Sequence, residues 1–406
     1  MQSHERRARE PVHRAHEGAP VSTSADAGSI LLSAGEASGD LHGGALCRAL
    51  RELGPGVRLT GMGGRHMAAA GMDVLVDPTA QAVVGTSEAL GRLPGLWRAY
   101  RLLVARLLAE PPRALVCIDF AEFNMQLARR AHRAGVPVVY FIPPQVWAWR
   151  PGRARVLARV ATRVLAVFPF EEPLYRAAGA SCDFVGHPLL DSVPLDLDRS
   201  EARRRLGLDP AARVVGLLPG SRREEVHRLL PVMLEAAARL GQAEPRPAFV
   251  LGLAPSVDRA AVDALIAAAP GAPAIAVMEG RTHEVMAAAD ALLVASGTAT
   301  LEAALLGGPM VVCYRVSRVS EAVTRSLIRI PWISLPNVIS QRRVVPEVLQ
   351  AELTGPRLAD EAHRLLTDPA AAAAQRSAFA EMRAGLGRPG VGRRAAEAVL
   401  RAARAA

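Results

Sequence analysis

The stretch that constrains this chain most is 291–312, which reads ALLVASGTATLEAALLGGPMVV. Leu292, Leu293 and Val294 make an apolar run of the length that suits a buried strand. The run breaks at Ala295-Ser296-Gly297-Thr298, and a helical pattern follows with Leu301, Ala304 and Leu305 on one face. Gly307-Gly308-Pro309 stops that helix, and a second apolar run begins at Met310. Strand, tight turn, helix and strand together make the unit of a parallel sheet. Where the helix begins, unpaired backbone N–H groups and the positive end of the dipole meet short hydroxyl side chains. That is a ready anion site. Glu302 lies about one turn in, placed to accept hydrogen bonds from a sugar hydroxyl. A capped helix with a solvated glutamate would read the same way, because short Gly/Ser turns are weak motifs.

The unit recurs. Apolar runs predict strands at 29–32, 57–61, 73–76, 115–118, 136–142 and 164–168, then at 214–218, 248–251, 275–277, 292–294 and 310–314. Helical patterns at 41–53, 67–70, 124–134 and 223–240 fall between them. This alternation predicts an α/β protein with two doubly wound, Rossmann-like halves. Each half opens with a small-residue turn after its first strand: Ser33 to Asp40 in one, Pro219 to Arg222 in the other. The expected organisation is a disordered extension at 1–28, an N-terminal half at 29–190, a polar linker at 191–209, a C-terminal half at 210–357 and a helical segment at 358–406. Ligands of open α/β sheets bind at the carboxyl ends of the strands, so two such sheets define a cleft between the halves.

Charge narrows the partner. The formal net charge is +10, and all 49 basic residues are Arg. A GC-rich coding bias explains Arg in place of Lys, but not the excess over 39 acids. That excess suits an anionic partner such as a phosphate, a nucleotide or a lipid headgroup. Only 4% of residues are aromatic, too few for stacking platforms, so nucleic acid is not expected. No GxGxxG follows the first strand, and neither a GxxxxGK[ST] loop nor a GxSxG elbow occurs. Cys47, Cys117, Cys182 and Cys313 are scattered among apolar residues, as in a reduced cytoplasmic protein. No His/Cys/Asp group has metal spacing, so neither metal nor cofactor is expected. No apolar run is long enough to span a membrane, and residues 1–28 lack the apolar core of a signal peptide.

Single residues carry the chemistry. Arg222 follows Pro219-Gly220-Ser221 at a helix start, where a guanidinium beside open N–H groups suits a diphosphate. Asp119 ends a buried strand, with Glu122 three residues on. It reads equally as a general base or as a helix cap. His42 and His187 sit in polar turns, where histidines are more often structural. The segment 92–108 places Leu93, Leu96, Trp97, Tyr100, Val104 and Leu107 at helical spacing among arginines. It is either an ordinary packed helix or a membrane-surface helix, and 318–332 raises the same question.

Taken together, these turns resemble the lipid-A-disaccharide synthase family, two-domain glycosyltransferases of the GT-B type. The resemblance rests on SAGEASGDLHG at 33–43, GMGG at 61–64, IDFAEFN at 118–124, PPQVWAWRPGR at 143–153 and FPFE at 168–171. It continues with FVGHPLLD at 184–191, LLPGSRREE at 217–225, ASGTATLEAALLGGPMVV at 295–312 and SLPNVI at 334–339. The resemblance implies an inverting, metal-independent transfer from UDP-2,3-diacylglucosamine to the 6-hydroxyl of 2,3-diacylglucosamine 1-phosphate. The products would be the β-1,6 disaccharide 1-phosphate and UDP. It implies Asp119 as the catalytic base, Arg222 on the phosphates, Glu302 on the donor ribose, and Asn337 as a further contact. Ser38, Asp40, Glu88, Ser296, Gly297 and Thr298 complete the expected substrate contacts. The expected location is the cytoplasmic face of the inner membrane, and homo-oligomer formation is left open. One departure stands out. The family usually reads Ile-Asp-x-Pro-Asp-Phe-Asn, whereas here proline is lost and the second acid is Glu122. Two other readings compete. One is another UDP-sugar enzyme such as a UDP-GlcNAc 2-epimerase, which lacks the tryptophans corresponding to 147 and 149. The other is a non-catalytic UDP-sugar or lipid-binding protein, favoured only by the altered loop.

Overall fold

The computed structural model of the protein describes residues 28–78, 93–316 and 331–405. Glu88, the extension before residue 28 and most of 318–332 lie outside the described residues. Two wholly parallel sheets dominate. The first orders its strands β3-β2-β1-β4-β5-β6-β7, and the second β10-β9-β8-β11-β12-β13. In the first sheet these are β1 Ser29–Ala34, β2 Arg58–Met62, β3 Asp73–Val76, β4 Ala114–Ile118, β5 Val138–Phe141, β6 Arg163–Ala166 and β7 Cys182–Phe184. The second holds β8 Val214–Leu218, β9 Ala248–Leu253, β10 Ile275–Glu279, β11 Ala291–Ala295, β12 Met310–Tyr314 and β13 Glu347–Leu349. Helices cover both faces, so the central strands are buried throughout and read as continuous apolar runs.

Strand order fixes where a ligand can sit. In each sheet the chain first winds outward one way and then returns to wind the other way. The reversals fall between β1 and β4 and between β8 and β11, which are hydrogen-bonded neighbours. Helices leave adjacent strands toward opposite faces there, opening a crevice at the carboxyl ends. The turns singled out in the sequence, after β1, β4, β8 and β11, line these two switch points.

The halves share one apolar cluster that runs from Ile30, Leu46 and Ile118 through Leu189 and Leu190 to Leu218, Val294 and Leu301. The last helix, Val391–Arg404, returns to pack on Ala37–Leu53 of the first half. Asp191 fastens it by accepting from the N–H groups of Gly390 at 2.6 Å and Gly392 at 2.9 Å. The expected polar linker 191–209 turns out to carry the helix Arg199–Leu206, capped by Asp198 accepting from Glu201 N–H at 2.8 Å. Its polarity hid one buried cation. The Arg203 guanidinium donates to the Ala288 carbonyl at 3.1 Å and to Asp290 at 2.7 Å, anchoring this helix to the second half. Strands β7 and β13, three residues each, were too short to show a pattern in the sequence.

Candidate active site

The first switch point is built around a strained turn. Asp119 and Phe120 both take left-handed backbone conformations, at φ 48° and 47°. Such a conformation is costly for residues with side chains and persists only where the surroundings impose it. Here Asn124 imposes it. Fully buried, its amide donates to the carbonyls of Ser33 at 3.1 Å, Ile118 at 3.2 Å and Asp119 at 2.9 Å. Its oxygen accepts from the Ser33 hydroxyl at 2.6 Å. Tyr140 adds a hydrogen bond from its hydroxyl to the Asp119 carbonyl at 3.1 Å. The Phe120 ring then lies against Gly35, where a methyl group would overlap it. Asp119 caps nothing: Phe120 holds the N-cap position of the helix Ala121–Arg133, and no side chain caps that helix. The carboxyl of Asp119 is pushed up to about 6, chiefly by burial and then by the negative charge of Glu36, while a backbone hydrogen bond from Phe120 pulls it down.

Asp40 lies next to this turn but faces its own chain. Its carboxylate accepts from the backbone N–H groups of Gly64 at 2.7 Å, His66 at 3.0 Å and Met67 at 3.1 Å. It therefore ties the helix Ala37–Leu53 to the GMGG turn. Ser38 stays half-buried on the first turn of the same helix.

In the second half, Gly220 turns the chain at φ 115° into the helix Arg223–Leu240. Glu225 accepts from Ser221 N–H at 3.3 Å and pairs with the Arg222 guanidinium at 3.1 Å. The Arg222 side chain is 71% exposed, so its bond to Glu225 can be exchanged for a ligand at little cost. After β11, Gly297 and Thr298 are exposed, and the space where a Gly297 side chain would project is open. The Ser296 hydroxyl donates to the Ile333 carbonyl at 3.2 Å. Glu302 is not merely solvated, because it meets His283 Nε2 at 3.0 Å. Asn337 is fully buried and saturated. It donates to Val345 O at 3.0 Å and Glu347 at 2.8 Å and accepts from Val344 and Val345 N–H at 2.6 and 2.9 Å. Glu347 also accepts from the Ser334 hydroxyl at 2.6 Å, so it organises the whole Ser-Leu-Pro-Asn turn.

The two halves meet at His42. Burial lowers its pKa to about 4, against the pull of Glu302 from the second half and of Asp191. Beside it is His187, also buried and lowered to about 3, whose Nδ1 accepts from Leu189 N–H at 3.2 Å. Phe168 stacks near His187 at 5.1 Å and edges Trp147 at 6.2 Å. The buried Glu171 accepts from Trp147 Nε1 at 3.0 Å and from the Val167 and Phe168 N–H groups, and burial pushes its carboxyl up to about 7. All four cysteines are free and buried. Among the described residues no group of three or more His, Cys, Asp or Glu is arranged to hold a metal.

Sequence reasoning had not assigned roles to Asn124, Glu171, His283 or Glu347. Asn124 and Glu171 stand inside quoted motifs. His283 and Glu347 carried no local signal.

Known proteins resemble the chain over most of its length. The family model described as lipid-A-disaccharide synthetase matches residues 30–401. The lipid-A-disaccharide synthase of Geobacter metallireducens is 44% identical over 371 residues, covering 91% of this chain and 96% of that protein. The enzyme of the same description from Myxococcus xanthus is 42% identical with the same coverage of this chain. Among solved structures, the calicheamicin glycosyltransferase CalG4 superposes with a TM-score of 0.57 at 17% identity, covering 92% of this chain and 98% of its own. UDP-GlcNAc 2-epimerase from Neisseria meningitidis gives 0.54 at 13%, covering 93% and 100%. At such identities these two establish the fold alone, a GT-B arrangement. The chain therefore belongs to the lipid-A-disaccharide synthase family and is a hexosyltransferase of GT-B fold.

Proposed function

We propose that the chain transfers 2,3-diacylglucosamine from its UDP-linked form to the 6-hydroxyl of 2,3-diacylglucosamine 1-phosphate. Asp119 takes the proton of that hydroxyl as its oxygen attacks the anomeric carbon of the donor and the bond to UDP breaks. The configuration inverts. Arg222 and the N–H groups at Ser221 and at Ser296 to Thr298 meet the charge left on UDP. Glu302 accepts from the donor ribose. Ser38 lines the first switch point, while Asp40 and Asn337 hold their loops in shape from behind. The observation that carries this reading is Asp119, a carboxylate raised to about 6 at the first switch point, where a base must be largely unprotonated at neutral pH. Incubating purified protein with donor and acceptor should yield disaccharide 1-phosphate and UDP in equal amounts. Turnover of UDP-GlcNAc without acyl chains, or tight UDP binding with no turnover, would count against it.

The acyl chains call for a lipid-facing surface, and the helix Leu93–Ala109 supports one. Ala99, Leu103 and Leu107 pack inward, while Leu93 and Trp97 are 56% and 60% exposed. Leu108 continues that outer stripe three turns beyond Trp97, and Arg101 lies over the Trp97 ring at 4.8 Å. Tyr100 on this helix edges Phe123 at 6.0 Å, which stacks on Phe120 beside the proposed base. An apolar stripe flanked by arginines suits an anionic membrane surface. No helix among the described residues is long and apolar enough to cross one. Replacing Leu93 and Trp97 together by serine should weaken binding to phosphatidylglycerol vesicles by about tenfold or more in co-sedimentation. Undiminished binding would remove this helix from the membrane contact.

A further inference from the structure

The loop after β5 and the first turn of the helix Gly152–Val160 bring two guanidiniums to one carboxylate oxygen. Arg150 Nη1 donates to Glu122 Oε1 at 2.9 Å, and Arg153 Nη2 pairs with the same oxygen. Both lie over the Trp149 ring, 4.9 and 4.7 Å from its centroid, and its negative face helps fix them. Two cations thus share a single negative charge. The Arg153 side chain is only 11% exposed, and its Nη1 is buried with no hydrogen-bond acceptor among the described residues. A buried guanidinium N–H without an acceptor is expensive, so one carboxylate leaves this pair of cations short of acceptors. Glu122 itself is 66% exposed and able to swing outward.

This cluster flanks the proposed base. Glu122 stands three residues beyond Asp119, and β4 and β5 are neighbours, with Ile118 opposite Phe141. A phosphomonoester brings up to two charges and three acceptor oxygens, which two arginine forks match better than they match one carboxylate.

We propose that Arg150 and Arg153 form the subsite for the phosphomonoester of the acceptor, with Glu122 holding the pair together between turnovers. This rests on the reading of the acceptor as a sugar 1-phosphate. In a pyranose, C1 and the carbon bearing C6 flank the ring oxygen. Anchoring the 1-phosphate at the arginines therefore presents the 6-hydroxyl on the same edge, toward Asp119.

The test is the ratio of kcat/KM for diacylglucosamine 1-phosphate to that for the same acceptor without its phosphate. The wild type should prefer the phosphate, and Arg153→Gln and the exposed Arg150→Gln should each reduce that preference about tenfold or more. The Arg150 variant keeps the test valid if Arg153→Gln fails to fold. An unchanged ratio, or a wild type with no preference, overturns the proposal. Weaker binding to phosphatidylglycerol vesicles with an unchanged ratio also overturns it and gives the arginines to membrane headgroups instead. Failure of the wild type to make disaccharide from either acceptor would remove the acceptor reading itself, a separate outcome.

Discussion

Asp119→Asn should lower kcat by about 10²–10⁴-fold, the usual contribution of a positioned general base. Titration calorimetry should find UDP binding unaltered, because Arg222 and the turn after β11 belong to the other half. The isosteric amide keeps the hydrogen bonds that Asn124 and Tyr140 make to the backbone carbonyl of residue 119, so the turn should survive. Near wild-type turnover would remove the base assignment. A base acts only when deprotonated, so with its carboxyl at about 6, kcat/KM should fall about tenfold per unit as pH drops below that value. Glu36→Gln removes the negative charge that helps raise it, and the acid limb should move to lower pH. The same shift has a sign for stability. A carboxyl raised in the folded state favours folding fully below its ordinary value of 3.8, and that contribution is lost as pH rises through about 6. At neutral pH the ionised Asp119 is a net cost, so the asparagine variant should melt no lower than the wild type. Loss of activity without loss of stability separates a base from a structural cap.

How much of this was legible depended on the range of the contacts involved. Buried parallel strands announce themselves as apolar runs, and Leu292 to Val294 or Val214 to Leu218 needed no tertiary information. The turns after β1, β8 and β11 were legible too, because tight turns and open N–H groups favour glycine and small hydroxyl residues, whereas the left-handed Asp119 and Phe120 after β4 carry no such signal. Their partners were not. Asn124 reaches Ser33 across 91 residues, and Glu302 meets His283 across 19. Such pairs are made when the sheet forms, and no periodicity records them. The same limit affected residues carried over from the family resemblance. It named Asp40 and Asn337, but whether a carboxylate or amide faces a ligand or its own loop depends on distant N–H groups. In both cases these prove to be the chain's own. The segment 191–209 misled for a related reason. A helix with one buried arginine among exposed ones has the composition of a linker.

Gly61→Ala should cost more stability than any other change considered, above about 4 kcal/mol. Gly61 pairs with Leu32 in the register of β1 and β2, at the point where the β2–β3 register shifts. Its φ of 147° lies where side chains are strained, and an added methyl would overlap the Leu32 carbonyl. That carbonyl belongs to a fully buried central strand and has nowhere to move. The bend at Gly61 also delivers the Gly64, His66 and Met67 N–H groups to Asp40, which holds the helix bearing Ser38 beside Asp119. Strain at this glycine therefore propagates to the first switch point. Gly63→Ala is the natural control. Its methyl would press on the Met67 and Met72 side chains, whose flexible ends can yield. It should cost about 1–3 kcal/mol. Urea unfolding of the two variants beside the wild type decides the matter. A Gly61→Ala protein as stable as the Gly63→Ala protein would show that the bend at residue 61 is not what shapes this end of the sheet.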